Sequence, residues 1–127
     1  MGTFLLIGMG GFIGAIMRYA LSGFVQSWSR IPQFPLGTLV VNLVGCLLIG
    51  ALAQLAEARN IFTPETSSLI FLGFLGAFTT FSTFSSESLN LMRSGQNLLS
   101  YLNIGGHILL GLGAVWLGRT LTTFFTH

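Results

Sequence analysis

Between Thr79 and Ser88 the chain carries seven hydroxyl side chains in ten residues, interleaved with Phe81 and Phe84 and preceded by Gly73 and Gly76. The surrounding segment is otherwise apolar enough to cross a bilayer. In hydrocarbon a serine or threonine hydroxyl must bond back to the carbonyl one turn earlier or find a partner across the bundle. One or two such hydroxyls would be ordinary in a membrane helix; seven in ten residues is not. The rings add a second kind of contact. An aromatic ring has a negative face and a positive edge, so rings presented edge-on attract a partly dehydrated anion without any fixed cation. Phe78, Phe81 and Phe84, at three-residue spacing, are expected on one slowly drifting helix face. Gly73 and Gly76 stand just ahead of this cluster, where weak helical preference permits a break; the alternative is an intact helix that uses them for packing. A break at membrane depth frees carbonyls, which is tolerated only inside protein or beside a wet cavity. Such carbonyls are hard oxygen ligands for a small cation.

The elements that must position these residues follow from composition. The chain has 127 residues, 52% of them hydrophobic and 6% charged, with no lysine and a mean hydropathy of +0.82. That is the composition of a membrane protein. A span needs about 20 mostly apolar helical residues, and the sparse charges divide the chain into four, at about 3–24, 36–56, 66–92 and 97–119. The expected fold is therefore all-α, a single four-helix transmembrane domain over residues 1–127 with its third helix broken near the middle. The connections agree. Ser27 to Pro35 is a loop with an interfacial Trp28, and Pro35 adjoins the second helix. Thr63-Pro64-Glu65-Thr66 reads as an N-cap with proline at the first helical position, and Met92 to Asn97 is a tight polar turn. The first span lacks a basic n-region and a clear cleavage site, so it is expected to be retained. Cys46 reads as a small packing residue.

Charge distribution instructs insertion weakly. The side holding the N-terminus carries Arg59 and Arg119, and the opposite side Arg30 and Arg93, joined by Arg18 if its side chain snorkels outward rather than turning inward to a polar partner. Orientation follows an excess of basic residues on the cytoplasmic side; so small a difference is compatible either with copies inserting both ways and pairing antiparallel, or with one orientation chosen by a single arginine. Four helices leave little room both to line a pore and to shield it from lipid, which argues for an oligomer. The pairs Gly10-x-x-x-Gly14 and Cys46-x-x-x-Gly50 allow close helix approach, within one chain or between chains. Asn103 and His107 lie one turn apart on the fourth span, so that face is expected to meet protein or water. His107 either borders an ion pathway or is a neutral histidine satisfied by a helix neighbour. Glu87, the one carboxylate inside a predicted span, is expected near the membrane boundary or paired with an arginine.

Three blocks resemble one family, the Fluc (CrcB) fluoride ion channels. They are Gly11-x-x-Gly14-Ala15-x-x-Arg18-Tyr19, Gly37-Thr38-Leu39-x-Val41-Asn42-Leu43-x-Gly45, and the Gly73–Glu87 tract with Thr79-Thr80-Phe81-Ser82-Thr83-Phe84-Ser85. Together they cover essentially the whole chain. The resemblance implies an antiparallel, dual-topology homodimer in the cell's inner membrane, with two fluoride pathways and a structural sodium ion on the two-fold axis. It places the sodium on backbone carbonyls of Gly76 and Thr79 from each subunit, and Phe81, Phe84, Asn42, Ser82, Thr83 and Thr38 along the fluoride pathway. Arg18, Glu87, Asn103 and His107 stand as possible supporting residues. Two departures concern Gly76-Ala77, where relatives often have paired glycines, and Asn103 and Gly111, where some have tyrosine and serine.

The activity so implied is passive export of fluoride from the cytoplasm, where it accumulates after entering as HF. The competing reading is a small dual-topology proton-coupled multidrug exporter, but such exporters rely on a glutamate in the first span and this chain has none there. A subunit that merely packs against a larger membrane enzyme is a second alternative. Catalysis is not expected: no nucleophile and base pair is evident, and His107 and His127 have no metal-ligating company.

Overall fold

A computed structural model describes residues 1–126; His127 lies outside the described residues. Four helices long and apolar enough to cross a membrane run through it: Gly2–Trp28, Leu36–Arg59, Pro64–Arg93 and Asn97–Thr126. Each extends past the span expected from the sequence, because a helix continues through its polar ends after the apolar window closes. We name α1 (Gly2–Trp28) and α2 (Leu36–Arg59). The third span comprises α3 (Pro64–Ser67), a π-helical stretch (Ser68–Leu75), α4 (Gly76–Phe78) and α5 (Phe81–Arg93). The fourth is α6 (Asn97–Thr126).

Local chemistry sets the boundaries. The Thr63 side chain accepts the Thr66 N–H at the start of α3, with Pro64 next in line, as the sequence indicates. Asn60 closes α2 in the left-handed region at φ 50°, and Gly95 turns α5 into α6 at φ 79°, a conformation glycine adopts without the Cβ penalty. The Gln26 side chain holds the α1–α2 loop, donating to the Phe34 carbonyl at 3.1 Å and accepting the Gly37 N–H at 3.0 Å.

The third span is broken, but not at its glycines. Gly76 is helical, whereas Thr79 (φ −89°, ψ 158°) and Thr80 (φ −150°, ψ 118°) are extended. Gly73 serves packing instead: a Cβ there would run into the backbone of Ile7 and Gly10 on α1. Gly10 and Gly14 are buried against the same stretch, and a Cβ on either would strike the backbone at Leu69 or Phe74. The wide π-helical turns thus lie directly on the small-residue face of α1.

The break lets one span change neighbours. Its first half packs on α1, its second half on α6, while α2 and α6 pack along their length. On that seam a Cβ on Gly50 would meet the Val115 backbone, and one on Gly118 the Leu47 backbone, so these glycines bring the two helices into backbone contact. At the end bearing the N-terminus, Arg119 bonds both carboxylate oxygens of Glu57, at 3.1 and 3.2 Å, and Gln54 at 3.1 Å. Phe78 and Phe81 do not share a face as their spacing suggests. The interruption resets the helical phase, so Phe78 is buried (2% exposed) and stacked on Phe74, while Phe81 is 79% exposed.

Candidate functional site

The site is built around the two extended residues. Ordinarily an extended pair at membrane depth would leave its N–H and C=O groups unpaired, at a cost of several kcal/mol each (about) in hydrocarbon. Here Asn42, two turns into α2, takes both groups of Thr80. Its Oδ1 accepts the Thr80 N–H at 2.8 Å, and its Nδ2 donates to the Thr80 carbonyl at 3.1 Å. The Thr80 hydroxyl caps α5 by accepting the Thr83 N–H at 3.3 Å, and it donates to the Thr83 hydroxyl at 3.0 Å. Gly45, three residues beyond Asn42, makes room for the break, since a Cβ there would collide with the Thr79 side chain.

These diversions have a consequence for the carbonyls. In an unbroken helix the Thr80 N–H would bond the Gly76 carbonyl and the Thr83 N–H the Thr79 carbonyl. Asn42 and the Thr80 hydroxyl take those donors instead. Gly76 is exposed and Thr79 half-buried. The Ala77 and Phe78 carbonyls lose the Phe81 and Ser82 N–H groups in the same way, so Gly76 and Thr79 are two of four carbonyls that end the first half of the span.

Three clefts with shared lining residues lie between the break and the end of α5. The first, about 280 Å³, is bordered by Asn42, Thr80, Phe81, Phe84 and His107. The two phenylalanine rings are tilted at 53° with centroids 5.6 Å apart, and Phe84 lies 4.2 Å from the His107 ring. The second cleft, about 430 Å³, shares Thr80 with the first and adds Thr83, Thr38 and Arg18. The third, about 490 Å³, shares Thr38 and is bordered by Glu87 and Asn90. Polar groups thus follow one another from the end of α5 to the break.

Most residues singled out in the sequence meet here, with some changes of partner. Glu87 accepts a 2.6 Å hydrogen bond from the Thr38 hydroxyl rather than pairing with an arginine; Thr38 stands one helical turn before Asn42 and so faces the same element. Arg18 turns inward: its Nε is buried and has no hydrogen-bond partner among the described residues. A fixed cation therefore borders the polar track, which the reading of the aromatic tract had left out. Ser82 is exposed, 3.5 Å from the Thr80 hydroxyl. Asn103 lies behind the first cleft, fully buried, and donates to the Ser88 hydroxyl at 2.9 Å. That hydroxyl bonds back to the Phe84 carbonyl, and Ser100 donates to the Ser88 carbonyl, both at 2.8 Å. His107 Nδ1 lies 2.9 Å from the Asn103 carbonyl and Nε2 lies 3.0 Å from Asn42 Nδ2. The ring is held by a neighbour on its own helix and borders the first cleft.

Thr80, Gly45, Ser88 and Ser100 were not singled out individually. Only Thr80 carried a usable signal, a threonine three residues before the Thr83 N–H it caps. Ser88→Ala should destabilise the protein by about 1–3 kcal/mol, because the Asn103 amide would lose its partner in a buried place. Thermal unfolding in detergent measures this.

The family model "CrcB-like protein, Camphor Resistance (CrcB)" matches residues 5–119. "Fluoride-specific ion channel FluC 1" of Methanosarcina acetivorans is 50% identical over 94% of this chain and 89% of its own length. "Fluoride-specific ion channel FluC" of Nitratidesulfovibrio vulgaris is 46% identical over 93% of this chain and 94% of its own. The protein of the same name from Methylobacillus flagellatus is 43% identical over 92% and 91%. A match spanning the α1 glycines, Asn42 and the broken third helix, shared with relatives of nearly equal length, means that this chain belongs to the CrcB family.

Proposed function

We propose that this chain is a fluoride-specific ion channel that passes fluoride out of the cytoplasm passively. The observation that carries the reading is the cleft at the break, where two phenylalanine rings, a histidine and an amide converge, in a chain close in sequence to proteins named fluoride-specific channels. Fluoride is small and strongly hydrated, so a pathway must return hydrogen-bond donors and positive ring edges for the water it removes. Threonine hydroxyls, the Asn42 amide and the edges of Phe81 and Phe84 supply these. Weak, successive contacts let the ion leave as well as enter. Arg18, beside Thr80 and Thr83, draws anions toward the track.

The working unit is an antiparallel homodimer, with copies inserted in both orientations. Phe81, 79% exposed on the protomer, then faces the second copy instead of lipid. The Gly76 and Thr79 carbonyls of both copies hold a structural sodium ion, which fits their release from helical bonding; one chain contributes two such oxygens, too few for a hard cation. Sodium, when bound, neutralises the carbonyl dipoles and ties the copies together. A proton-coupled exporter has no support here, since α1 carries no carboxylate and Glu87 is held by Thr38.

Purified protein in liposomes loaded with equal fluoride and chloride should release fluoride at least about a hundredfold faster, a barrier difference of about 2.7 kcal/mol. Equal rates, or no fluoride release, would refute the reading.

A further inference from the structure

The hydrogen bonds around Asn42 have only one consistent set of directions. The Thr80 N–H can only donate, so the amide atom 2.8 Å from it is the oxygen, and the nitrogen must be the atom that meets the Thr80 carbonyl. One Nδ2 proton goes to that carbonyl and the other points at His107 Nε2, 3.0 Å away. An amide nitrogen has no lone pair to accept with, so Nε2 must be bare. The opposite side of the ring gives the same answer independently. Nδ1 lies 2.9 Å from the Asn103 carbonyl, which can only accept, so Nδ1 carries the proton. The ring is therefore neutral and protonated on Nδ1. Phe84, 4.2 Å away between centroids, packs against it.

We propose that His107 is a positioning residue for the ion pathway: its bare Nε2 holds the second N–H of Asn42, whose plane the Thr80 backbone already fixes, and keeps that donor paired in the cleft until an anion takes it. The Thr80 backbone alone fixes the amide oxygen and one proton. The remaining N–H borders the same cleft as Phe81 and Phe84 and would otherwise be an unpaired donor among aromatic rings. His107 Nε2 accepts that proton when no ion is present, and an anion in the cleft competes for the same donor. This role rests on the channel reading for its effect on flux, but its hydrogen-bond direction does not.

Two measurements test it. Nitrogen-15 spectra of histidine-labelled protein in lipid, with the His127→Gln variant assigning the resonances, should show a bare Nε2 and a protonated Nδ1 on His107 at neutral pH. A proton on Nε2, in the other tautomer or in the cation, overturns the proposal. In liposome efflux, His107→Leu fills the space but cannot accept, and should slow fluoride about tenfold, the effect of one lost hydrogen bond. His107→Gln presents an amide oxygen and should stay within about threefold of wild type, a difference worth less than one such bond. Wild-type flux in His107→Leu, or equal losses in both variants, overturns the proposal, since a purely packing role would favour leucine. Should wild type release no fluoride, the channel reading fails and the spectrum alone decides this one.

Discussion

Asn42→Ala is expected to be the most damaging single substitution in the chain, lowering stability by about 3–5 kcal/mol and abolishing ion flux. What it removes is the partner of both backbone groups of Thr80. Each group left unpaired costs about 1–3 kcal/mol, and the least costly escape is for Thr79 and Thr80 to return to helix. A continuous third helix would swing Phe81 and Phe84 out of register with α2 and re-cap the Gly76 and Thr79 carbonyls. Asn42→Asp separates the two halves of the clamp, since it retains the acceptor for the Thr80 N–H but not the donor to the carbonyl; its loss should be intermediate. Thermal unfolding in detergent ranks the three proteins, and efflux from liposomes reports whether the break survives. Stability equal to wild type in Asn42→Ala would show that the break does not need the amide.

Phe84→Ile is expected to slow fluoride release by at least about tenfold while leaving the fold intact, corresponding to about 1.4 kcal/mol of lost ion stabilisation. Isoleucine preserves an apolar surface against the His107 ring, 4.2 Å from Phe84, but it has no ring edge to offer an anion. Phe81→Ile should have a similar effect on flux, and its effect on the isolated chain should be smaller still because Phe81 is largely exposed there. Unfolding temperature and flux should therefore separate: little change in the first, a large change in the second. Flux unchanged in both variants would remove the rings from the pathway.

Much of this was legible in the residues. Sparse charges delimit four spans because hydrocarbon tolerates so few of them, and the Thr63–Pro64 start and the Gly95 turn are local signals that hold in the structure. The crowding of hydroxyls in the third span marks the span that is broken, and several of them bond around the break. The place of the break was not legible. Glycines have the weakest helical preference, so local propensity points to Gly73 and Gly76, yet both are helical, and Gly73 serves contact with α1. The extended residues are two threonines, a type with no turn preference strong enough to be recognised, and they are extended because an amide 38 residues earlier takes up the Thr80 backbone.

The sequence by itself determined that this is a four-span membrane protein with a polar, aromatic third span, because hydropathy and the cost of burying polar groups depend on composition along the chain. The CrcB motifs are likewise local strings. Tertiary structure alone decided that Phe78 is core and Phe81 surface, that Glu87 pairs with Thr38, that Arg18 faces the track and that His107 reads the Asn42 amide. Each of these depends on which groups meet across helices, and a hydrogen bond's direction is set by both partners; neither carries it alone.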